Sequence, residues 1–338
     1  MSCPFCGAAQ GSVPSSEINV QDSAVTGGIH QTTNVTQNTP EHLGKAIGVM
    51  LKELGFSGQS SPAELTQEQT QEVEKVLEVA EQAAVHGIEI NPWTEITLGN
   101  AAKLSGRTHT AQQHYLRALE TFRKNGDRGG EADSLNGLGN IAKTRGDLAE
   151  AERLYRESLA IKRDIGDRDG ESSSLNGLGL IAETRGDLAE AERLYRESLA
   201  ICREIGDRGG EAPILGNLGN LAQTRRDFEE GERYLLEAKS VYQEVGDIAG
   251  VCRQLSNLGI SAQKRGDLAK AERLQRESLA TAREIGYRVL EAHCLVELGN
   301  IHADKGEMDE RHRCYTEAVQ IKREVGTPIE QWFIDNGY

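Results

Sequence analysis

A sixteen-residue stretch, GDLAEAERLYRESLAI, occurs twice in the chain, at residues 146–161 and again at 186–201. A near copy, GDLAKAERLQRESLA, begins at Gly266. A catalytic centre needs different residue types converging on one point, whereas a verbatim copy supplies the same types at two points. A period of a few tens of residues is instead typical of a stacked repeat, in which each unit covers the apolar face of the preceding unit.

Glycines recur with a period of forty residues and divide the chain into units. Two unbroken columns are Gly99, Gly139, Gly179, Gly219, Gly259 and Gly299, and Gly126, Gly166, Gly206, Gly246, Gly286 and Gly326. A third column, formed by Gly106, Gly146, Gly186, Gly266 and Gly306, is interrupted by Arg226. Six units follow, beginning near residues 91, 131, 171, 211, 251 and 291.

Each unit is predicted to form two helices. In the second unit, apolar residues recur at three- and four-residue spacing over residues 131–145, which indicates a helix face. Gly146 ends this helix, and Asp147 with Glu150 has the form of a capping box that begins the next one. Gly166 ends the second helix. The other face of that helix is predicted to be solvated and charged, with the i,i+4 pairs Glu152–Arg156 and Arg153–Glu157.

The unit resembles the tetratricopeptide repeat. Leu138, Gly139, Ala151, Tyr155 and Ser158 have the spacing of that family's Leu-Gly, small, aromatic and small positions. Most of this set recurs in the other units, although Leu235 and Gln275 replace the aromatic residue in the fourth and fifth. The forty-residue length is similar to the variety found in kinesin light chains. The resemblance implies an all-α, right-handed superhelix whose first helices line a concave groove for a partner peptide or helix.

Asparagines are frequent on the predicted groove helices. The candidate binding residues are Asn100, Asn136, Asn140, Asn176, Asn217, Asn220, Asn257 and Asn300. A primary amide both donates and accepts hydrogen bonds, so such a row can pair with a peptide backbone whatever its side chains are. The alternative is that some of these asparagines cap or cross-link neighbouring helices.

The groove is expected to be polar and roughly neutral. The family's chaperone-tail clamp also needs Lys and Arg at neighbouring positions, where this chain has Gly216, Asn217, Ser256 and Asn257. Recognition of a C-terminal carboxylate is therefore not expected.

The N-terminal residues carry a different pattern. Cys3 and Cys6 lie in CPFCG, which resembles one half of a zinc ribbon. A closed zinc site needs four ligands, so either the thiols are free or zinc is completed by His30 or by a second copy of the chain. The polar composition that follows suits either short β-strands or a flexible tail.

Four regions are therefore expected. They are the CxxC and polar segment at 1–40, two capping helices at 41–90, six repeats at 91–326 and a C-terminal cap at 327–338. Trp332, Phe333 and Ile334 are predicted to cover the last repeat, because the end of a solenoid otherwise leaves an apolar face bare.

The composition restricts the function. A net charge of -15 argues against nucleic-acid and membrane ligands. No apolar run is long enough to span a bilayer, and sparse cysteines fit a reducing compartment, so a cytoplasmic protein is expected. No phosphate-binding loop, nucleophile elbow or HExxH motif is present, so no enzymatic activity or resident cofactor is expected beyond the zinc considered at Cys3 and Cys6.

Two functional interpretations remain. The first is a non-enzymatic scaffold or adaptor that binds a partner protein in the asparagine-lined groove. The alternative is a homo-oligomeric assembly protein, in which residues 1–40 self-associate through zinc or β-pairing and the solenoid is a display arm.

Overall fold

The computed structural model describes residues 40–56, 65 and 67–338. Cys3, Cys6 and His30, and with them the predictions of zinc binding and self-association for the N-terminal segment, lie outside the described residues.

Within the described residues the backbone forms fifteen α-helices and no strand. The helices are α1 (Pro40–Glu53), α2 (Gln67–Val85), α3 (Pro92–Leu104), α4 (Thr108–Asn125), α5 (Arg128–Thr144), α6 (Leu148–Ile165), α7 (Arg168–Thr184), α8 (Leu188–Ile205), α9 (Arg208–Thr224), α10 (Phe228–Val245), α11 (Ile248–Lys264), α12 (Leu268–Glu284), α13 (Arg288–Lys305), α14 (Met308–Glu324) and α15 (Gln331–Asp335). The all-α class predicted from the forty-residue period is confirmed.

Helices α3 to α14 form six consecutive pairs, and each second helix packs on the first helix of the next pair. The first helices, α3, α5, α7, α9, α11 and α13, also contact each other in succession, whereas the second helices make no comparable contact within the described part of the chain. The six first helices therefore lie on the inner side of a solenoid, and we call their shared surface the inner face.

Turn geometry explains the two glycine columns that contain Gly146 and Gly166. Gly146 and Gly166 adopt φ values of 80° and 72°, a left-handed conformation that glycine takes without strain. At Gly166 it ends α6. Asp147 then caps α6 by accepting a hydrogen bond from the backbone N–H of Glu150 at 3.1 Å. Arg226, which interrupts the third glycine column, adopts the same left-handed turn conformation with φ 63°. This conformation is unfavourable for a residue that has a Cβ atom.

Ion pairs join successive units. The predicted pairs Arg156–Glu152 and Arg153–Glu157 form, with N–O distances of 2.6 and 2.9 Å. Their glutamates also reach other units, because Glu157 accepts from Arg123 of α4 at 2.7 Å and Glu152 pairs with Arg185 at the end of α7. The charged face is thus part of the contact between units as well as a solvated surface.

Both ends of the solenoid are covered by further helices. At the N-terminal end, α1 and α2 both contact α3. At the other end, α15 places Phe333 against Tyr315, with ring centroids 5.2 Å apart. Phe333 is buried, while Trp332 and Ile334 are 48% and 53% exposed. Of the three residues predicted to cover the last repeat, Phe333 is the one that lies fully beneath the surface.

Candidate functional site

All eight predicted asparagines lie on the first helices, and all are half-buried. Their side chains fall into three groups according to their hydrogen bonds. The groups separate amides that hold the fold together from amides that are available to a ligand.

Three asparagines are bonded to a tyrosine of their own unit. The hydroxyls of Tyr115, Tyr155 and Tyr315 donate to the Oδ1 atoms of Asn100, Asn140 and Asn300 at 2.7, 3.0 and 2.6 Å. Burial raises the pKa of each tyrosine, so the hydroxyl keeps its proton and remains a donor. These asparagines cross-link the two helices of a unit, the role that the sequence analysis gave as the alternative to peptide binding.

Two glycines make room for the ring of Tyr155, as two others do for that of Tyr115. A Cβ atom on Gly139 would lie 2.8 Å from the ring of Tyr155, and one on Gly177 of the next unit would lie 2.7 Å from it. The ring therefore occupies a slot between two backbones, and its hydroxyl reaches the inner face at Asn140. The Leu-Gly position of the repeat is required by this packing.

The tyrosine–asparagine bond is absent where the sequence loses either partner. Leu180 stands at the asparagine position of the third unit, and Tyr195 donates to Glu183 at 2.7 Å instead. In the fourth unit Leu235 replaces the tyrosine, so Asn220 has no such donor. The fifteen-residue spacing from Asn to Tyr is visible in the sequence and would have identified the bonded asparagines.

The remaining asparagines differ from each other. Asn217 donates to the Oδ1 of Asn176 at 2.9 Å, which ties α9 to α7. The side-chain amides of Asn136, Asn220 and Asn257 make no hydrogen bond within the described residues. These three amides on α5, α9 and α11 keep their full donor and acceptor capacity unused within the described residues.

Two lysines of the inner face were missed by the sequence analysis. Lys103 of α3 and Lys143 of α5 each follow an inner-face asparagine by three residues. Burial lowers the pKa of both, and the positive charge of Lys103 lowers that of Lys143 further. Lys103 is nevertheless exposed to solvent, so the surrounding protein desolvates its ammonium group without covering it.

Two open cavities lie away from these asparagines and lysines. One of about 380 Å³ lies between α6, α7 and α8, with Leu159, Leu178 and Leu194 in its floor. An equivalent space recurs 120 residues later, around Leu279 and Leu298. The charged rim of the first cavity is already paired, since Arg163 binds both Glu171 and Glu197. We interpret these spaces as gaps between second helices, bridged by ion pairs.

The His and Cys residues of the last unit do not converge. Cys294 and His302 are buried in the core, whereas His312 is exposed. Among the described residues no group of three or more side chains could hold a metal ion. The described helices also include none with the length and apolar character of a membrane span.

The repeat defined by this packing is that of a known family. Tetratricopeptide repeats match residues 92–164, 170–244 and 251–324, and the chain belongs to this family. Members of this fold generally act as protein-interaction scaffolds without catalysis. No curated protein matches the chain.

Solved structures share the fold at low sequence identity. The BtubC (BKLC) structure from P. vanneervenii is 22% identical, covers 66% of this chain and 94% of its own, and has a TM-score of 0.56. The apo form of RapI is 10% identical, with 83% and 99% coverage and a TM-score of 0.63. The Rap conjugation gene regulator of plasmid pLS20, solved with the Phr* peptide, is 13% identical, with 86% and 97% coverage and a TM-score of 0.57.

Proposed function

We propose that the inner face binds an extended peptide or a helix of a partner protein, and that the chain acts as a non-enzymatic adaptor. The observation that carries the proposal is the set of unengaged amides at Asn136, Asn220 and Asn257, half-buried on three first helices. A half-buried amide without a partner gains more from a ligand's hydrogen bond than an amide in open water.

The proposal assigns different roles to the predicted asparagines. Asn136, Asn220 and Asn257 contact the ligand directly through their side chains. Asn100, Asn140 and Asn300 serve first as supports for the tyrosines, and the pair Asn176–Asn217 joins two units. One neighbour of the same fold was solved with a peptide, which makes a peptide a natural first ligand to test.

The compartment is a separate part of the proposal. Cys202, Cys252, Cys294 and Cys314 are free thiols, the first three of them buried. Unpaired cysteines suit a reducing environment, and we place the adaptor in the cytoplasm on this ground. The alternative role as an assembly protein depends on residues 1–40 and has no support from the described residues.

A peptide selection tests the proposal. The full chain is used to select short linear peptides from a phage-displayed library, and affinities of the selected peptides are then measured by fluorescence anisotropy. Replacing Asn136, Asn220 and Asn257 together by Ala should lower affinity at least about tenfold, because several amide hydrogen bonds are lost at once.

Asn125→Ala is the matched control, since Asn125 is an exposed residue at the end of α4, away from the inner face. It should leave peptide affinity unchanged. Failure to select any peptide, or equal affinity of the triple variant with its fold intact by circular dichroism, would show that the inner face is not the binding site.

A further inference from the structure

The N-terminal part of the inner face differs from the rest in charge. Lys103 and Lys143 occupy the same position in the last turns of α3 and α5, forty residues apart, and these two helices contact each other. The same position holds Glu183, Gln223, Gln263 and Ala303 in the later units. The two lysines therefore occupy equivalent positions on adjoining helices, near enough for the charge of Lys103 to act on Lys143, although the whole chain carries a charge of -15.

Neither lysine is neutralised within the described residues. In the part of the chain that the structure describes, neither ammonium group forms an ion pair or a hydrogen bond. The nearest acidic position in the same row, Glu183, is occupied as an acceptor by Tyr195. On the second helices, in contrast, arginines are doubly paired, as Arg163 is with Glu171 and Glu197.

The polar groups beside the lysines add donors to the patch. Tyr115 occupies the Oδ1 of Asn100 and thereby fixes that amide, whose Nδ2 donates to no group within the described residues. Asn100 and Lys103 are three residues apart on α3 and share one helix face. Because Oδ1 of Asn100 is occupied and its Nδ2–H groups are free to donate, the polar groups beside the two lysines complement an anion.

Two adjacent unpaired cations in a partly desolvated groove oppose each other in the free protein. An anion placed between them would remove this repulsion and restore the solvation that each ammonium group loses on burial. Charged groups whose placement costs stability in this way are typical of binding sites.

We propose that Lys103 and Lys143, with the amide of Asn100, form a subsite for carboxylate side chains, so that the partner segment is an acidic peptide. This inference rests on the proposed function and names the class of ligand. It concerns Asp or Glu side chains inside a segment. The subsite lies at different positions from the chaperone-tail clamp, which is occupied here by Gly216, Asn217, Ser256 and Asn257.

The test uses a library of linear peptides blocked at both termini, so that side chains supply the only carboxylates. The intact chain should select peptides enriched in Asp or Glu at one or two fixed positions. Changing those positions to Asn or Gln should lower affinity about fivefold per carboxylate, as expected for partly exposed charge pairs.

Variants locate the effect. Lys103→Met with Lys143→Met should abolish the preference for Asp and Glu while peptides still bind through the remaining amides. Lys264→Met removes one charge from an exposed residue of α11 and should preserve the preference. Phosphoserine at the selected positions, and the same peptides with a free C-terminus, distinguish a side-chain carboxylate from a phosphate or a terminal carboxylate.

Several results would overturn the inference. The selected peptides could lack acidic enrichment, or the preference for Asp and Glu could persist in the Lys103→Met, Lys143→Met variant. Binding that requires a phosphate group or a free C-terminus would overturn it as well. If no peptide binds at all, the proposed function fails and this inference fails with it. Peptides that bind without acidic preference would leave the proposed function standing.

Discussion

At the scale of single residues, asparagine amides on the inner face are held by tyrosines that project from the second helix of the same unit. Tyr155 starts on α6, passes between Gly139 and Gly177, and donates to Asn140. The same arrangement holds for Tyr115 and Asn100. The repeat's glycines and aromatic residues thus fix the orientation of amides on the inner face.

The glycine slot gives a direct prediction. Gly177→Ala should lower the free energy of unfolding by about 1–3 kcal/mol, because its Cβ would lie 2.7 Å from the Tyr155 ring. Gly129→Ala is the control, since its Cβ meets nothing closer than 3.5 Å and Ala249 occupies the same position in a later unit. Chemical denaturation measures both, and equal stability of the two variants would contradict the slot.

Arg226 gives a prediction of the opposite sign. Among the described residues, Arg226 is the one non-glycine residue with a positive φ. The other positions of its column are glycine. Arg226→Gly should raise the free energy of unfolding by up to about 1 kcal/mol, because the left-handed conformation disfavours a Cβ. The reverse change, Gly186→Arg, should lower it by a similar amount. A thermal melt that moved down for Arg226→Gly would contradict this.

The two inner-face lysines should reduce stability. Their pKa values are lower in the folded chain, so the unfolded chain takes up more protons and stability rises with pH through the window below the ordinary lysine pKa. Lys143→Met should therefore leave the melting temperature at pH 7 unchanged or higher. A clear decrease relative to Lys264→Met would mean that Lys143 supports the fold.

At the scale of helices, the junctions between units are held by charge clusters. Glu171 is buried at the start of α7 and accepts from Arg163 at 2.7 Å and from Arg168 at 2.5 Å. Burial opposes its ionisation, but the two guanidinium groups outweigh burial and lower its pKa. At the other junctions, Glu131, Glu211 and Glu291 each pair with the two arginines at the equivalent positions of their own junction.

Acid should weaken the junction at Glu171. A carboxyl whose folded pKa is lowered stabilises the fold above its unfolded pKa of about 4.3 and loses that contribution as pH falls through the folded value. Thermal stability should therefore decline as pH drops from about 5 toward 3. Glu171→Gln should be less stable at pH 7 and should show a smaller acid decline. An unchanged acid profile would contradict the role of Glu171.

The helices were predictable because the residues at their ends determine where each helix begins and stops. Gly146, Asp147 and Gly166 fix the bounds of α6 through backbone conformation and capping, which neighbouring residues alone decide. The pairing of helices follows from the period. The contact of Glu157 with Arg123 was not predicted, since it joins residues 34 apart in sequence through the stacking of units.

The candidate site was predictable only in part. The sequence places asparagines on the first helices, but the division between bonded and available amides depends on whether a tyrosine stands fifteen residues later. Lys103 and Lys143 resemble ordinary lysines at helix ends in the sequence. Their partial desolvation depends on the packing of successive units, in which α3 contacts α5, and no local pattern encodes this contact.

At the scale of the whole repeat array, the described core is not uniform. One buried cluster extends from Ile47 to Tyr242, and the buried apolar residues of the fifth and sixth units, together with Leu235 of α10, form separate, smaller clusters. In the fifth unit Gln275 fills the tyrosine position, and Gln254 Oε1 and Ser261 Oγ are buried without a hydrogen bond within the described residues.

The cluster of two arginines and one glutamate is also missing at the junction between α10 and α11. Gln243, Ile248 and Val251 stand where the other junctions have Arg, Arg and Glu. Units that interact only with neighbours unfold separately where the contact between them is weak. The boundary between α10 and α11 is therefore expected to divide the array into two cooperative blocks.

Hydrogen exchange measures this division. Backbone amides of α11 and α12 should exchange faster than the equivalent amides of α7 and α8. Gln243→Arg, Ile248→Arg and Val251→Glu together restore the charge cluster and should slow exchange in α11 and α12 without affecting α7 and α8. Uniform protection across the array, in the native chain and in the variant alike, would contradict two blocks.

The central claim is that the inner face holds the partner. The most direct measurement is photo-crosslinking in living cells that express the full chain, with a photoreactive phenylalanine at Asn220 or Asn257 and, as outer controls, at Lys124 or Arg273. Crosslinks from both inner positions to one segment of the same partner protein, and none from the outer positions, are the predicted result. Crosslinks to a partner from the outer positions alone, or from no position to any protein, would contradict the claim.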